Sequence, residues 1–306
     1  MLKKFKLIDG KLVENDSSEC PVLVYIAPDE GEKKYLIEEL KIDQYNITSA
    51  LDPNEIGRME FDEGHTMLII KQPKRYCSDD NFLLKISSMG LFIFPDKLII
   101  LLAEDAPIFD GRQFIKVRSI QNILLKVIHR CISHFEEHLR VIQAISDELE
   151  EKINTSMENK HLHNMFNLEK SLVYYLKSIS SNSKVIEKIK ANVAKFNFNP
   201  EDIEYLDDVA IENSQCYEQA NTHSQVLSSM MDAWVSVVSN NLNILIKKLT
   251  LVMICIMLPT LIISVFSMNV KLPLEQELSG ASFWLIVGLA AFSAIGVFLI
   301  WRHKKL

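Results

Sequence analysis

Residues 249–268 read LTLVMICIMLPTLIISVFSM, and residues 281–301 read ASFWLIVGLAAFSAIGVFLIW. Neither stretch carries a charge, and each has about the ~20 residues a helix needs to cross a hydrocarbon core. In a bilayer the backbone must satisfy its polar groups within the segment, which selects helix for both. Two buried core helices of a soluble protein would meet the length test, but they do not explain the flanks. Lys247 and Lys248 precede the first run, and Arg302, His303, Lys304 and Lys305 follow the second, while the stretch between has only Lys271. Cationic flanks stay on the cytoplasmic side. Both chain ends are therefore expected in the cytoplasm, and the multi-pass protein in the cell (inner) membrane. The loop 269–280, with Pro273, Glu275, Glu277 and Gly280, is expected outside. Trp284 and Trp301 lie near the span ends, as interfacial aromatics do.

The rest of the chain is cytoplasmic in character. Its N-terminus, MLKKFKLIDGKLVEND, has no apolar run of signal-peptide length. The five cysteines are scattered, without metal or redox spacing, and read as reduced thiols. A formal charge of −7 argues against a nucleic-acid partner and suits a protein that attracts cations.

Residues 1–116 read as an α/β domain. Strand-like runs occur at 22–27 (VLVYIA), 66–71 (TMLIIK), 90–94 (GLFIF) and 98–103 (LIILLA), with Pro95-Asp96-Lys97 as a hairpin turn. Residues 36–45 and 46–52 read as short helices. From 117 to 200 the period becomes helical. Ile120, Ile123, Leu124, Val127, Ile128, Cys131, Phe135, Leu139, Ile142 and Leu149 form one apolar stripe, and a second helix covers about 158–195. Asn197–Pro200 breaks it, and Pro200-Glu201-Asp202 looks like a new helix start. No proline or glycine follows from Glu201 to Leu258, so a stalk helix over 201–248 should run straight into the first span, 249–268. At 1.5 Å per residue it would reach roughly 100 Å. The second span, 281–301, leaves a basic tail at 302–306.

A polar stripe runs along this long helix. Steps of four and three pick out Glu218, Thr222, Gln225, Ser229, Asp232, Ser236, Ser239 and Asn243. The same steps continue through Ile246, Thr250, Met253, Met257, Thr260, Ser264 and Ser267, which include every hydroxyl of the span. A 3.5-residue period stays on one side of a helix in a left-handed bundle. A solvated face outside the membrane and helix-packing hydroxyls inside it are the ordinary explanations. The shared register favours one water-filled axis, which a single helix cannot enclose, so a symmetric ring of subunits is required. Asp232, Asn243 and Asn269 would place oxygens along it. Oxygen ligands suit Mg²⁺, which keeps its water, whereas softer ions favour the thiolate or imidazole this axis lacks.

Three other groups have ordinary explanations. His134-Phe135-Glu136-Glu137-His138 fits the H-x-x-E-H pattern of a zinc peptidase family, but no candidate helix offers a third ligand, so a solvated helix face is expected. His161 and His163 do not share a face. The pairs Asp207-Asp208 and Asp79-Asp80 read as solvated surface, with a divalent regulatory site between subunits as the alternative.

The run SNNLNILIKKLTLVMICIMLPTLIISVFSMNV at 239–270 resembles the first transmembrane segment of the CorA-type magnesium channels. Asn240, Asn243, Lys247, Leu249-Thr250, Pro259-Thr260 and Phe266-Ser267-Met268-Asn269 match its ordered motif, and LDPNEIGRMEFDEGHTMLIIKQPK and MGLFIFPDKLIILLAED extend the likeness. The resemblance implies a funnel-shaped homopentamer, not an enzyme, that passes hydrated Mg²⁺ and is gated by cytoplasmic Mg²⁺. It implies a selectivity element at Ser267, Met268 and Asn269. Thr260, Met257, Leu249, Ile246 and Asn243 would line the pore, Asp232 would form a stalk ring, and Asp208 would join a regulatory site. Ser267 stands where the family has Gly, and its Cβ restricts positive φ. Transport of Zn²⁺, Co²⁺ or Ni²⁺, or a non-conducting membrane-anchored metal sensor, are the competing expectations.

Overall fold

The computed structural model describes residues 1–15, 20–75, 83–155, 159–268 and 281–304. The chain divides into two compact units, Met1–Met231 and Asp232–Leu306.

The first unit is built on a sheet of seven strands: β1 (Leu2–Ile8), β2 (Lys11–Glu14), β3 (Val22–Ile26), β4 (Arg58–Asp62), β5 (His65–Pro73), β6 (Ile86–Ile93) and β7 (Leu98–Leu102). Their spatial order is β2-β1-β3-β7-β6-β5-β4. Among the described residues only β3 and β7 pair in parallel, with Val24 opposite Ile100. The turn at Pro95-Asp96-Lys97 joins β6 to β7 as its sequence predicts, closed by the Phe94 N–H donating to the Lys97 carbonyl at 2.9 Å. The central strands β3 and β7 are apolar at every position because both faces are covered. Val24, Leu68, Leu91, Ile100 and Leu102 point to one core, and Tyr25, Ile69, Phe92, Ile99 and Leu101 to the other.

Two short helices, α1 (Glu30–Glu38) and α2 (Gln44–Leu51), close the second core with Leu36, Ile47 and Ala50, joined by Ile42 from the connection between them. The helix expected over 36–45 is corrected. Asp29 and Glu32 make a capping box that starts α1 six residues earlier, and the stretch 39–43 is not helical. α2 approaches β6 so closely that a Cβ on Gly90 would lie 2.5 Å from the Ala50 Cβ.

Two long helices, α3 (Ile120–Thr155) and α4 (Asn159–Ala191), cover the other face. The predicted α3 stripe from Ile123 to Leu149 is buried there, with Met165, Leu168, Leu172, Tyr175, Ile179 and Ile189 from α4. Asn182 of α4 works as a strand substitute on β5. Its amide donates to the Lys71 carbonyl at 2.9 Å and accepts from the Lys71 N–H at 2.8 Å. A one-turn α5 (Val193–Phe196) ends at Asn197, whose left-handed φ of 51° turns the chain. The next helix, α6, runs unbroken over Pro200–Phe266, and α7 covers Ala281–Lys304.

Candidate functional site

The start of α6 follows from its first residues. Asn199 caps it, accepting from the Asp202 N–H at 2.7 Å, and Pro200 occupies the first helical position, where no N–H is missed. Asp202 is itself buried and accepts from the Asn122 amide at 2.9 Å, which ties α6 to α3. Further along, burial raises the Tyr205 hydroxyl pKa, helped by the charges of Glu212 and Asp208. The phenol hydroxyl hydrogen-bonds with Nδ1 of His129, whose Nε2 donates to Glu212 at 2.6 Å. Sequence reasoning missed this bridge; its only local signal was a histidine bordering the apolar stripe of α3.

Between Pro200 and Met231, one face of α6 is buried: Leu206, Val209, Asn213, Cys216, Ala220 and Leu227. Glu218, Thr222, Gln225 and Ser229 fall about two positions away from these residues, on the opposite side of the helix, and all four are exposed. From Asp232 onward the stripe continues through Ser236, Ser239, Asn243, Ile246, Thr250, Met253, Met257, Thr260, Ser264 and Ser267, again exposed at every position. Leu249 and Met268 are exposed as well.

Five hydroxyls of the stripe turn back onto their own helix. Thr222, Ser229 and Ser236 each donate to the carbonyl four residues back, at 2.9, 2.9 and 3.1 Å. Thr260 does the same toward Ile256 at 2.7 Å, and Ser267 donates to Ser264 at 2.9 Å. With their protons committed to their own helix, these oxygens present lone pairs outward. Water bound to a cation points its hydrogens outward, so an acceptor-rich face suits a hydrated cation.

Ser267 is not among the residues with positive φ. Its N–H continues the helix, donating to Ile263 at 3.0 Å and Ser264 at 3.2 Å. Its Cβ therefore imposes no backbone strain. Asn269, Glu275 and Glu277 lie outside the described residues, as do Asp79 and Asp80.

The two acids expected at a regulatory site differ from each other. Asp207 is neutralised by Lys190 at 2.6 Å, whereas Asp208 is exposed without an ion pair among the described residues. No group of three or more His, Cys, Asp and Glu able to hold a metal occurs among the described residues. The H-x-x-E-H segment is corrected from a solvated face to a packed one. His134 and His138 stack edge to face at 4.7 Å, and His138 Nδ1 accepts from Tyr175 at 2.6 Å. Glu137 is held by Arg130 at 2.8 Å. Burial, with the charges of His138 and Arg130, pulls His134 down to about 4. His163 is exposed.

The second unit has no buried residue from 235 to 268. Between Ile244 and Val265 twelve large apolar side chains are exposed. At ~1 kcal/mol or more for each half-exposed side chain, that equals the whole stability of an ordinary domain, ~5–15 kcal/mol. α6 and α7 both contain stretches long and apolar enough to cross a membrane, almost wholly unburied within the chain. They are thus not the core helices of a soluble protein.

Fold and site together define a membrane protein with an α/β domain, a long helix that becomes a span, and a second apolar helix. Residues 23–303 match the family described as CorA-like Mg²⁺ transporter protein, and the chain belongs to that family of transporters, which are not enzymes. It is 26% identical over 299 residues to the cobalt/magnesium transport protein CorA of Methanocaldococcus jannaschii, with 92% of each chain covered. The protein of the same description from Thermotoga maritima is 22% identical over 268 residues, with 85% of this chain and 74% of that one covered. The complete structure of the CorA magnesium transporter from Methanocaldococcus jannaschii superposes with a TM-score of 0.81 at 23% identity, with 98% of this chain and 96% of that one covered. Full-length CmaX shares the fold at 12% identity and a TM-score of 0.71, with 100% and 97% covered.

Proposed function

We propose that several copies of this chain surround a water-filled axis lined by the polar stripe of α6, and that hydrated Mg²⁺ passes inward along it. The observation that carries this is the stripe itself. It stays exposed on one register from Glu218 to Ser267, opposite the face that α6 buries in its own subunit, with the hydroxyl oxygens of Thr222, Ser229, Ser236, Thr260 and Ser267 left as acceptors. A face that polar, continued between exposed apolar ones, needs water on one side and lipid or other helices on the others. Five copies is the number the family resemblance implies. Both termini lie in the cytoplasm, where Lys247, Lys248 and the 302–306 tail hold them. Asn269, at the outer end of the stripe, is the selectivity residue in this proposal, and Glu275 and Glu277 attract cations to the outer mouth.

Mg²⁺ is cargo here, and it also acts as the gating ligand. Asp208 contributes to a site completed by a neighbouring copy, which accounts for an exposed acid with no ion pair in its own described chain. Filling the site holds the ring closed, and emptying it at low cytoplasmic Mg²⁺ releases it.

Flux into liposomes containing the purified protein tests the proposal across Mg²⁺, Co²⁺, Ni²⁺ and Zn²⁺. Saturable Mg²⁺ and Co²⁺ uptake driven by an inside-negative potential is expected. Uptake of Zn²⁺ without Mg²⁺ would transfer the pore to another metal, and no flux of any ion would overturn transport. Native mass spectrometry in detergent counts the copies directly.

A further inference from the structure

The chain is acidic, yet one cleft in its first unit is basic. It lies where α4 crosses the ends of β5 and β6, and its volume is about 520 Å³. Six lysines line it: Lys71 and Lys74 at the end of β5, Lys85 just before β6, and Lys170, Lys177 and Lys184 of α4. The three from α4 are spaced by seven, so they rise along one helix face with Tyr174, Ser178 and Ser181. Glu55 is the one carboxylate of the lining among the described residues, and it is held by Arg58. Lys74 pairs with Glu104 outside the lining. Lys170, Lys177 and Lys184 have no ion pair among the described residues.

Lys71 makes the cleft more than a patch of surface lysines. It is 5% exposed. Its ammonium donates to the Pro53 carbonyl at 2.7 Å and to the Ser88 hydroxyl at 2.8 Å, both neutral acceptors. No carboxylate lies within ion-pair distance of it among the described residues. A buried cation without a carboxylate in direct contact is costly. Burial pulls its pKa down to about 8, with the Lys177 charge acting the same way, and the charges of Asp52 and Glu55 offset this only in part. An anion seated in the cleft would add a direct counter-charge beside Lys71 and offset the like charges of Lys170, Lys177 and Lys184.

We propose that this cleft binds a small polyanion of the nucleoside polyphosphate class, with the lysines on the phosphates and Tyr174 against the base. The volume falls in the range of small-ligand sites. Lysines are flexible point charges that suit a chain of phosphates, and Tyr174, 48% exposed, offers a flat apolar surface at the rim. An extended nucleic acid is disfavoured by the overall charge of −7.

The test is equilibrium binding to the full-length protein in detergent, using Mg²⁺-free ATP, tripolyphosphate and adenosine. One saturable ATP site per chain is expected, weakened by added salt. Tripolyphosphate should bind more weakly than ATP, and adenosine should not bind measurably. Lys177→Glu with Lys184→Glu should weaken ATP and tripolyphosphate by at least about tenfold. Tyr174→Ala should weaken ATP alone. Both lysines are exposed, so the double variant should keep its melting temperature; the milder Lys177→Gln with Lys184→Gln serves should it not. Absence of saturable ATP binding, or unchanged affinity in both double variants, would overturn the proposal. So would loss of the assembly in the charge-reversed variant without ATP binding to the parent protein, which would assign the cleft to an acidic segment of a neighbouring copy.

Discussion

The two halves of α6 are one unbroken helix, yet they meet their surroundings differently. Up to Met231, every second turn or so delivers a buried residue to the core shared with α3 and α4. Beyond Trp234 nothing is buried, although the sequence becomes more apolar. Apolar content does not decide burial here; the presence of a partner in the same chain does. The first half is a structural element of its subunit. The second is a surface that the described chain leaves uncovered. The polar stripe is the feature common to both, and in each half it faces away from what its own subunit supplies.

The comparison can be broken most severely at the far end of the stripe. Asn269→Ala should abolish Mg²⁺ uptake in liposomes while leaving the melting temperature of the protein unchanged; undiminished uptake would remove Asn269 from selectivity. A comparably large loss is expected for Thr260→Lys, which places a fixed cation on the exposed stripe, and again without a loss of fold.

In the first half the sign reverses. Leu206→Ala removes a side chain that is 1% exposed and should cost about 2–5 kcal/mol of stability in denaturant unfolding. The same change at Leu249, 59% exposed, should cost under about 1 kcal/mol. Equal costs would mean that the halves are not distinct. Asp208→Ala sharpens the comparison from the cytoplasmic side. Mg²⁺ should protect the parent protein from limited proteolysis at lower concentrations than it protects the variant, and identical protection curves would count against a regulatory role.

A smaller effect concerns pH. His134 takes up its proton only near 4 in the folded chain because of burial and then the His138 and Arg130 charges. In the unfolded chain it does so near 6.5. Between those values the unfolded chain binds the extra proton. The contribution is therefore complete above about pH 6.5 and is lost progressively as the pH falls toward 4. His138 is lowered in the same direction by burial and adds to it. The melting temperature should drop by a few degrees from pH 7.5 to pH 5, and less in His134→Gln. The smallest effect is expected at Thr222, on the exposed stripe of the first half. Thr222→Val should change stability by no more than about 0.5 kcal/mol.

Much of this was legible along the chain because the signals are local. The α3 stripe, the start of α6 at Pro200 and the Pro95-Asp96-Lys97 turn each depend on neighbours within a few residues. β1 and β2 were not read as strands because Lys3, Lys4 and Lys6 interrupt the apolar pattern. They lie toward one edge of the sheet, where charge is common. Their Asp9-Gly10 turn, with φ of 47° and 75°, was the overlooked hairpin signal. The His134 pair could not be placed from sequence, since its partner Tyr175 comes from another helix, 37 residues after His138.

What the sequence by itself determined is whatever a single segment must satisfy alone. An uncharged run of about twenty residues has to be a helix in lipid, and a 3.5-residue polar repeat has to stay on one side of it. What only the tertiary structure decided is which distant segments meet. The strand order, the burial of one α6 face and the five lysines gathered around Lys71 all depend on long-range packing. The spacing of Lys170, Lys177 and Lys184 is visible in the chain, but their convergence with Lys71, Lys74 and Lys85 is not. That convergence arises because α4 is held against β5 by Asn182, a contact made across 111 residues.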